Sequence, residues 1–410
     1  MKKALCIGYV WPEPKTTAAG QRMLQLLEAF IHEGYQVTFV TTASKTPYSD
    51  DLSSLGVQTA TISLNHESFD VFIQDLQPHA VVFDRFMVEE QFGWRVAENA
   101  PRALRILNTE DLHSLRKTRQ LAHQKGEGFI LETWMQQEMT KREMASIYRS
   151  DLTLLVSSYE MKILQTKLII PPDLLYHLPF LLDTIDEGSP ATWPSFKNRK
   201  DFICFGNGRH APNIDAIAYL KKDIWPLIRQ QLPEAKLCIF GAYLPQQVQE
   251  WHQPKAGFYV QGWVNDLDHE LQGTRVNLAP LRFGAGIKGK LTQALQNGTP
   301  TITTSIGAEG MFTGEDLPVV VRNDAKSVAQ AAIALYQDEN EWYRMQSEGV
   351  NAINMEYDKK ALLTPFFAKV NTLYQILREH RTANFIGSML QHQTMASTKY
   401  MAKWIEEKNR

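Results

Sequence analysis

The chain has 410 residues, 43 of them Lys or Arg and 45 Asp or Glu, with 44% hydrophobic and 21% charged residues. At roughly 150 residues per domain this length predicts two or three domains, and the near-balanced charge gives no whole-chain reason to expect a nucleic-acid partner. The ordinary globular mix excludes a disordered chain, three cysteines are too few for a disulfide framework, and no apolar run approaches the ~20 residues of a membrane span.

Two lysines and an apolar run from Ala4 to Val10 open the chain. With no small-residue cleavage site, the run is too short for a signal peptide and predicts a parallel strand covered on both faces. Cys6, Cys204 and Cys238 all lie in apolar runs, which predicts buried free thiols in a reducing, cytoplasmic setting. A Pro-rich loop leads into Ala18-Ala-Gly20 and a helix with Met23, Leu26, Leu27, Phe30 and Ile31 at helical spacing, closed by Gly34. Strands are predicted over 37–41, 59–64, 80–83, 104–107 and 152–156, with a weaker one near 176–178. One long polar helix is predicted over 115–149.

From 183 to 201 the composition turns to Asp, Gly, Ser, Pro, Asn, Lys and Arg, which marks a linker. Strand–helix alternation then restarts, with strands at 202–205, 236–240, 257–261, 276–280, 300–304 and 317–321 and helices between them. The last ~50 residues predict helix with breaks. The predicted fold is therefore α/β, with two doubly wound parallel sheets facing each other across a cleft. Its parts are residues 1–185, a linker at 186–200, a second domain at 201–360, and helices from 361 to 410. Ligands of such sheets bind at the carboxyl ends of the strands.

The sharpest segment is Pro280-Leu-Arg-Phe-Gly-Ala-Gly-Ile-Lys-Gly-Lys290, which joins a strand to a helix. Glycines let backbone approach a ligand, and a helix start with its free N–H groups favours an anion. Arg282, Lys288 and Lys290 add positive charge there. The segment predicts a phosphate cradle, the alternative being a tight turn with solubilising lysines; the spacing is not that of a P-loop. Phe205-Gly-Asn-Gly-Arg-His-Ala-Pro-Asn213 follows another strand, so that Arg209, His210 and Asn213 are either ligand contacts or loop and cap residues. Glu309, in the polar glycine-rich segment 303–310, is a helix cap or a sugar-hydroxyl acceptor. In the first half, segments 82–95 and 108–116 carry Asp, Arg, Glu and His after strands, as a binding surface for a hydroxylated substrate or as an internal ion-pair network. His113 is the member expected to act as a polar donor or acceptor near neutral pH. No dinucleotide fingerprint follows the first strand, and CxxC, HExxH and GxSxG are absent, so metal or serine-nucleophile chemistry has no support.

The second half resembles the nucleotide-sugar-binding domain of GT-B glycosyltransferases, in particular the retaining family 4 (group 1) enzymes of bacteria. The carrying segments are FGNGRHAPNIDA (205–216), AKLCIFG (235–241), VQGWV (260–264), APLRFGAGIKGKLTQALQNGTPTITT (279–304) and GAEGM (307–311). The first half is similar to the acceptor domain of the same enzymes, with Gly20 in the helix-opening loop. This resemblance implies a donor diphosphate along Gly284, Ala285, Gly286, Ile287, Lys288, Gly289 and Lys290, with Arg282 and Lys288 neutralising the leaving phosphate and Arg209 approaching from the neighbouring loop. The family's two glutamates are replaced by Ala285 and Gln293, and the glutamine keeps a hydrogen-bonding role toward the ribose.

The implied activity is transfer of a hexose from a nucleotide-diphosphate sugar, with retention, to an unknown glycan, lipid, protein or small-molecule acceptor. No metal and no further cofactor are expected when Arg and Lys neutralise the phosphate. A non-hydrolysing sugar-nucleotide epimerase and a catalytically inert partner-binding protein are the alternatives on the same fold. The resemblance implies that the helices from 361 to 410 cross back onto the first domain; in them Phe366, Phe367, Val370, Leu373 and Leu377 form a packing stripe, and Met389, Met395 and Met401 are expected to pack as well. Lys399, Lys403, Lys408 and Arg410 near Tyr400, Met401 and Trp404 allow a peripheral membrane contact in a chain without a membrane span.

Overall fold

The computed structural model describes residues 1–314 and 317–409, so Arg410 lies outside the described residues. Seven parallel strands form the first sheet: β1 (Lys2–Gly8), β2 (Tyr35–Thr41), β3 (Gln58–Thr61), β4 (Ala80–Asp84), β5 (Leu104–Asn108), β6 (Leu152–Leu155) and β7 (Leu175–His177), in the order β3-β2-β1-β4-β5-β6-β7. The second sheet holds β8 (Lys200–Phe205), β9 (Leu237–Phe240), β10 (Phe258–Gly262), β11 (Thr274–Ala279), β12 (Thr301–Thr303) and β13 (Val320–Val321), ordered β10-β9-β8-β11-β12-β13. Strand order reverses between β1 and β4 and between β8 and β11, and loops leaving the carboxyl ends there splay apart to make a crevice.

The strands are apolar throughout because helices cover both faces. In β1, Ala4 and Cys6 pack with Leu26 and Phe30 on one side, while Leu5 and Ile7 pack with Phe69 and Ile73 on the other. Such alternation within a wholly apolar strand is what two-sided burial of a parallel sheet demands.

The single helix expected over 115–149 is three helices, His113–Lys125, Leu131–Gln136 and Glu138–Arg149. Gly126 ends the first in the left-handed conformation, φ 72°. Trp134 in the second is buried and donates its indole N–H to Ser114 Oγ at 2.7 Å, folding the segment back on itself.

The chain returns to the first domain through helix Lys359–Gln375. Its Phe366, Phe367, Val370 and Leu373 join the cluster of Phe30 and Tyr35, with Phe367 edge-on to Phe30 at 5.3 Å between centroids. The last helix, Phe385–Lys408, sets Met395 and Ala402 on Trp94, and Glu406 pairs with Arg95 at 2.7 Å. Of the three tail methionines expected to pack, only Met395 does; Met389 and Met401 are exposed, because one face of this helix already satisfies the contact with the domain. No helix among the described residues is long and apolar enough to cross a membrane.

Candidate functional site at the domain junction

Loop 280–288 runs from the end of β11 to helix Gly289–Gln296, and the first domain closes directly over it. Gly286 has φ 62°, and a Cβ there would lie 2.8 Å from Asp111 Cβ, so both backbone and space demand glycine. At Gly289 a Cβ would sit 2.7 Å from Ala18 Cβ. The openings of helices Ala18–His32 and Gly289–Gln296 therefore meet across the cleft, two helix N-termini turned to one place. Gly20 in the first of these helices packs on the backbone of Glu13.

Two of the predicted cations line this mouth. Lys288 is buried and donates from Nζ to Gly286 O at 2.6 Å. Burial lowers its pKa, against the pull of the Glu309 and Glu160 carboxylates. Lys290 Nζ donates to Asn213 Oδ1 at 2.7 Å, and Asn213 donates from Nδ2 to Asn207 O at 2.9 Å, so the loop after β8 is tied to the glycine loop through these side chains. Arg282 turns the other way: its Nε and Nη2 bind Asp215 at 2.9 and 2.6 Å, and its guanidinium stacks on Tyr219. Arg209 stacks on Tyr243 at 3.6 Å, near the Tyr243 hydroxyl bond to Glu13 of the first domain.

The remaining predicted residues have defined partners. Both oxygens of Glu309 accept from Arg119 of the first domain, at 2.6 and 3.0 Å, and the same arginine donates to Gly284 O at 2.9 Å. Gln293 donates to Asp268 Oδ1 at 3.0 Å. Ile287 packs with Phe180 and Leu291, while Ala285 joins the first-domain cluster of Leu112 and Leu115. A glutamate at 285 would have its carboxylate pressed toward that apolar surface, which accounts physically for the small residue.

His113 and His210, from opposite domains, converge on one ion pair. His113 Nε2 is 3.2 Å from Asp111 Oδ1, and Asp111 Oδ2 accepts from Arg116 Nε at 2.6 Å. Burial pulls both imidazoles down to about 4, so each is neutral near pH 7; for His210 the neighbouring Arg116 adds to the effect. Burial opposes ionisation of Asp111, but Arg116 and His113 hold its pKa well below the ordinary carboxylate range.

Four residues at the site were not singled out in the sequence: Asp111, Arg116, Arg119 and Glu160. The first two lie in the charged segment 108–116. Glu160 forms the pattern Ser157-x-x-Glu160, a capping-box signature, and the Ser157 hydroxyl does accept from the Glu160 N–H at 3.4 Å. The Glu160 carboxylate goes elsewhere: its Oε1 accepts from Gly286 N at 2.7 Å and Leu112 N at 3.2 Å. Farther along the first sheet, Asp84, Arg85, Asn108 and Glu110 form an internal network, with Asn108 donating to Glu110 at 2.7 Å and Tyr9 N to Asp84 at 3.0 Å.

Residues 199–338 match the family model described as glycosyl transferases group 1. Among solved structures, the chain is similar to sucrose-phosphate synthase from Thermosynechococcus elongatus (16% identity, TM-score 0.67, covering 92% of this chain and 100% of that one). It is also similar to HepE from Anabaena, solved in complex with UDP (10% identity, TM-score 0.66, 90% and 100%), and to a glycosyltransferase from Rickettsia africae (10%, 0.66, 91% and 98%). A curated relative, an uncharacterized 44.6 kDa protein in the cps region of Klebsiella pneumoniae, is 24% identical over 163 residues. That match spans 38% of this chain and 42% of the relative's length. The fold is the GT-B arrangement of two Rossmann-like domains, and the group 1 glycosyl transferase model matches within the second of them.

Proposed function

We propose that the protein is a glycosyltransferase that moves a hexose, with retention, from a nucleoside-diphosphate sugar to a hydroxylated acceptor. One observation carries the reading: the glycine loop, the mouth of helix Gly289–Gln296, the buried Lys288 and the partly buried Lys290 share one place in the cleft, inside the region matching group 1 glycosyltransferases. Negative charge grows on the leaving phosphate as the sugar–phosphate bond breaks. Backbone N–H groups and a buried ammonium aimed there stabilise that charge more as it develops, and so accelerate the step.

In this reading the leaving phosphate takes the acceptor's proton, and neutral His113 orients a hydroxyl as donor or acceptor. Arg282, paired with Asp215 and stacked on Tyr219, braces the loop. The structural neighbour solved with UDP makes uridine diphosphate the first ligand to try.

The test is calorimetric titration of UDP into wild type and Lys288→Ala, followed by a transfer assay with UDP-sugars and a panel of acceptors. Loss of one charge-assisted contact should weaken UDP by about 1.5–3 kcal/mol, ten- to a hundredfold. Equal affinity in both proteins would remove Lys288 from the site. Epimerised donor formed without acceptor would instead assign the epimerase activity.

A further inference from the structure

We infer that Glu160 is a built-in occupant of the donor-phosphate seat: its carboxyl group holds the Gly286 amide and links the two domains there, and the donor's diphosphate expels it. The inference rests on the donor site proposed above and adds the group that the donor must displace.

The geometry is that of a carboxyl group on an anion cradle. Oε1 of Glu160, a first-domain residue, accepts one N–H from its own domain, Leu112, and one from the glycine loop of the other, Gly286. Gly286 lies two residues from Lys288, whose ammonium caps the Gly286 carbonyl and whose field reaches Glu160. A carboxyl oxygen and a phosphate oxygen compete for the same kind of donor, and the Gly286 N–H serves one of them at a time.

Glu160 is also poorly settled where it sits. The side chain is 1% exposed, yet its Oε2 has no hydrogen-bond partner. A buried carboxyl with one oxygen unsatisfied gives up part of the stabilisation that a bonded one would have. Burial, with Asp111 beside it, raises its pKa to about 8 against the pull of the two amides and Lys288, so the seat is held by a neutral carboxyl near pH 7 and by a carboxylate above that range. A diphosphate brings more charge and more oxygens to the same donors, so it holds the seat better.

The displaced side chain has a place to go. Ser157-x-x-Glu160 is the sequence in which a glutamate folds back to the N–H of the capping serine at the start of its own helix. The Ser157 half of that box is formed here, with its hydroxyl accepting from Glu160 N. Rotation of the Glu160 side chain completes the box and frees the Gly286 amide. The same residue thus has two alternative partners, one across the cleft and one within its helix.

The experiment titrates inorganic pyrophosphate and UDP calorimetrically into the full-length wild type, Glu160→Gln and Lys288→Ala. Glutamine keeps an oxygen acceptor for both amides and removes the charge. Above pH 8, where Glu160 is charged, it should tighten pyrophosphate and UDP by about tenfold, the scale of removing one like charge beside a bound anion, and by less at pH 7. Affinity equal to or weaker than wild type overturns the inference and makes Glu160 a permanent strut, while the donor site stands if Lys288→Ala still weakens binding. Binding of neither ligand to any of the three proteins overturns the donor reading together with this one. Small-angle scattering of Glu160→Ala, shown to be folded by its melting transition, gives a second readout. Without ligand it should be more expanded than wild type and should contract on adding UDP; a radius of gyration unchanged from wild type would contradict the clasp.

Discussion

His113 and His210 come from chain positions nearly a hundred residues apart and end beside the same Asp111–Arg116 pair. Each is buried enough to be neutral near pH 7, which suits a group that exchanges a hydrogen bond with a hydroxyl without bringing charge to an anionic donor. The burial has a consequence for stability. An imidazole whose folded pKa is depressed from 6.5 to about 4 binds a proton more readily in the unfolded chain. Its favourable contribution is therefore complete above pH 6.5 and is lost as pH falls toward 4. His113→Asn lacks this term, so its stability relative to wild type should improve by up to ~3 kcal/mol between pH 6.5 and 4 in urea unfolding. A pH-independent difference would show that His113 is not buried as a neutral ring.

At the scale of elements, the strand–glycine loop–helix unit at 274–296 was legible because three glycines between an apolar strand and an amphipathic helix mark a place where backbone comes close to a ligand or to another segment. Its partners from the first domain were not. Arg119 lies inside a polar helix, and Glu160 fits a capping pattern fully, so local sequence offers a sufficient local reason for each. Only the approach of the domains shows that Arg119 grips Gly284 O and Glu309 while Glu160 grips Gly286 N. The three helices between 113 and 149 were hidden in a similar way, since polar residues conceal the break that Gly126 makes. Gly286 carries the sharpest prediction at this scale. Alanine there must adopt a left-handed backbone and press on Asp111, costing about 1–2 kcal/mol in backbone strain alone. We expect UDP affinity to fall well beyond what the change in melting temperature indicates, as measured by calorimetry beside thermal unfolding. Unchanged affinity would mean that the domains do not close on this loop when the nucleotide binds.

For the whole molecule, the two sheets were readable from alternating apolar runs, because a parallel sheet buried on both faces leaves that record in every strand. The apolar stripe at 366–373 was readable from its helical spacing and its return to the first domain was implied by the family resemblance; its side chains complete the first domain's core. Phe366 is fully buried there, so Phe366→Ala should lower stability by about 3–5 kcal/mol and unfold the first domain at lower urea than the second. A single unshifted transition would separate the tail from that core. The outward face of the last helix, with Phe385, Tyr400 and Trp404 exposed, was unreadable in this sense: periodicity marks an apolar stripe but does not say which stripe is covered.

The most direct measurement is a crystal structure of the protein with UDP bound. The diphosphate should lie within hydrogen-bonding distance of backbone N–H groups between Gly286 and Lys290 and of Lys288 Nζ, with Glu160 turned away from Gly286. A nucleotide bound elsewhere, with the Glu160 carboxylate still on the Gly286 amide, would contradict the account.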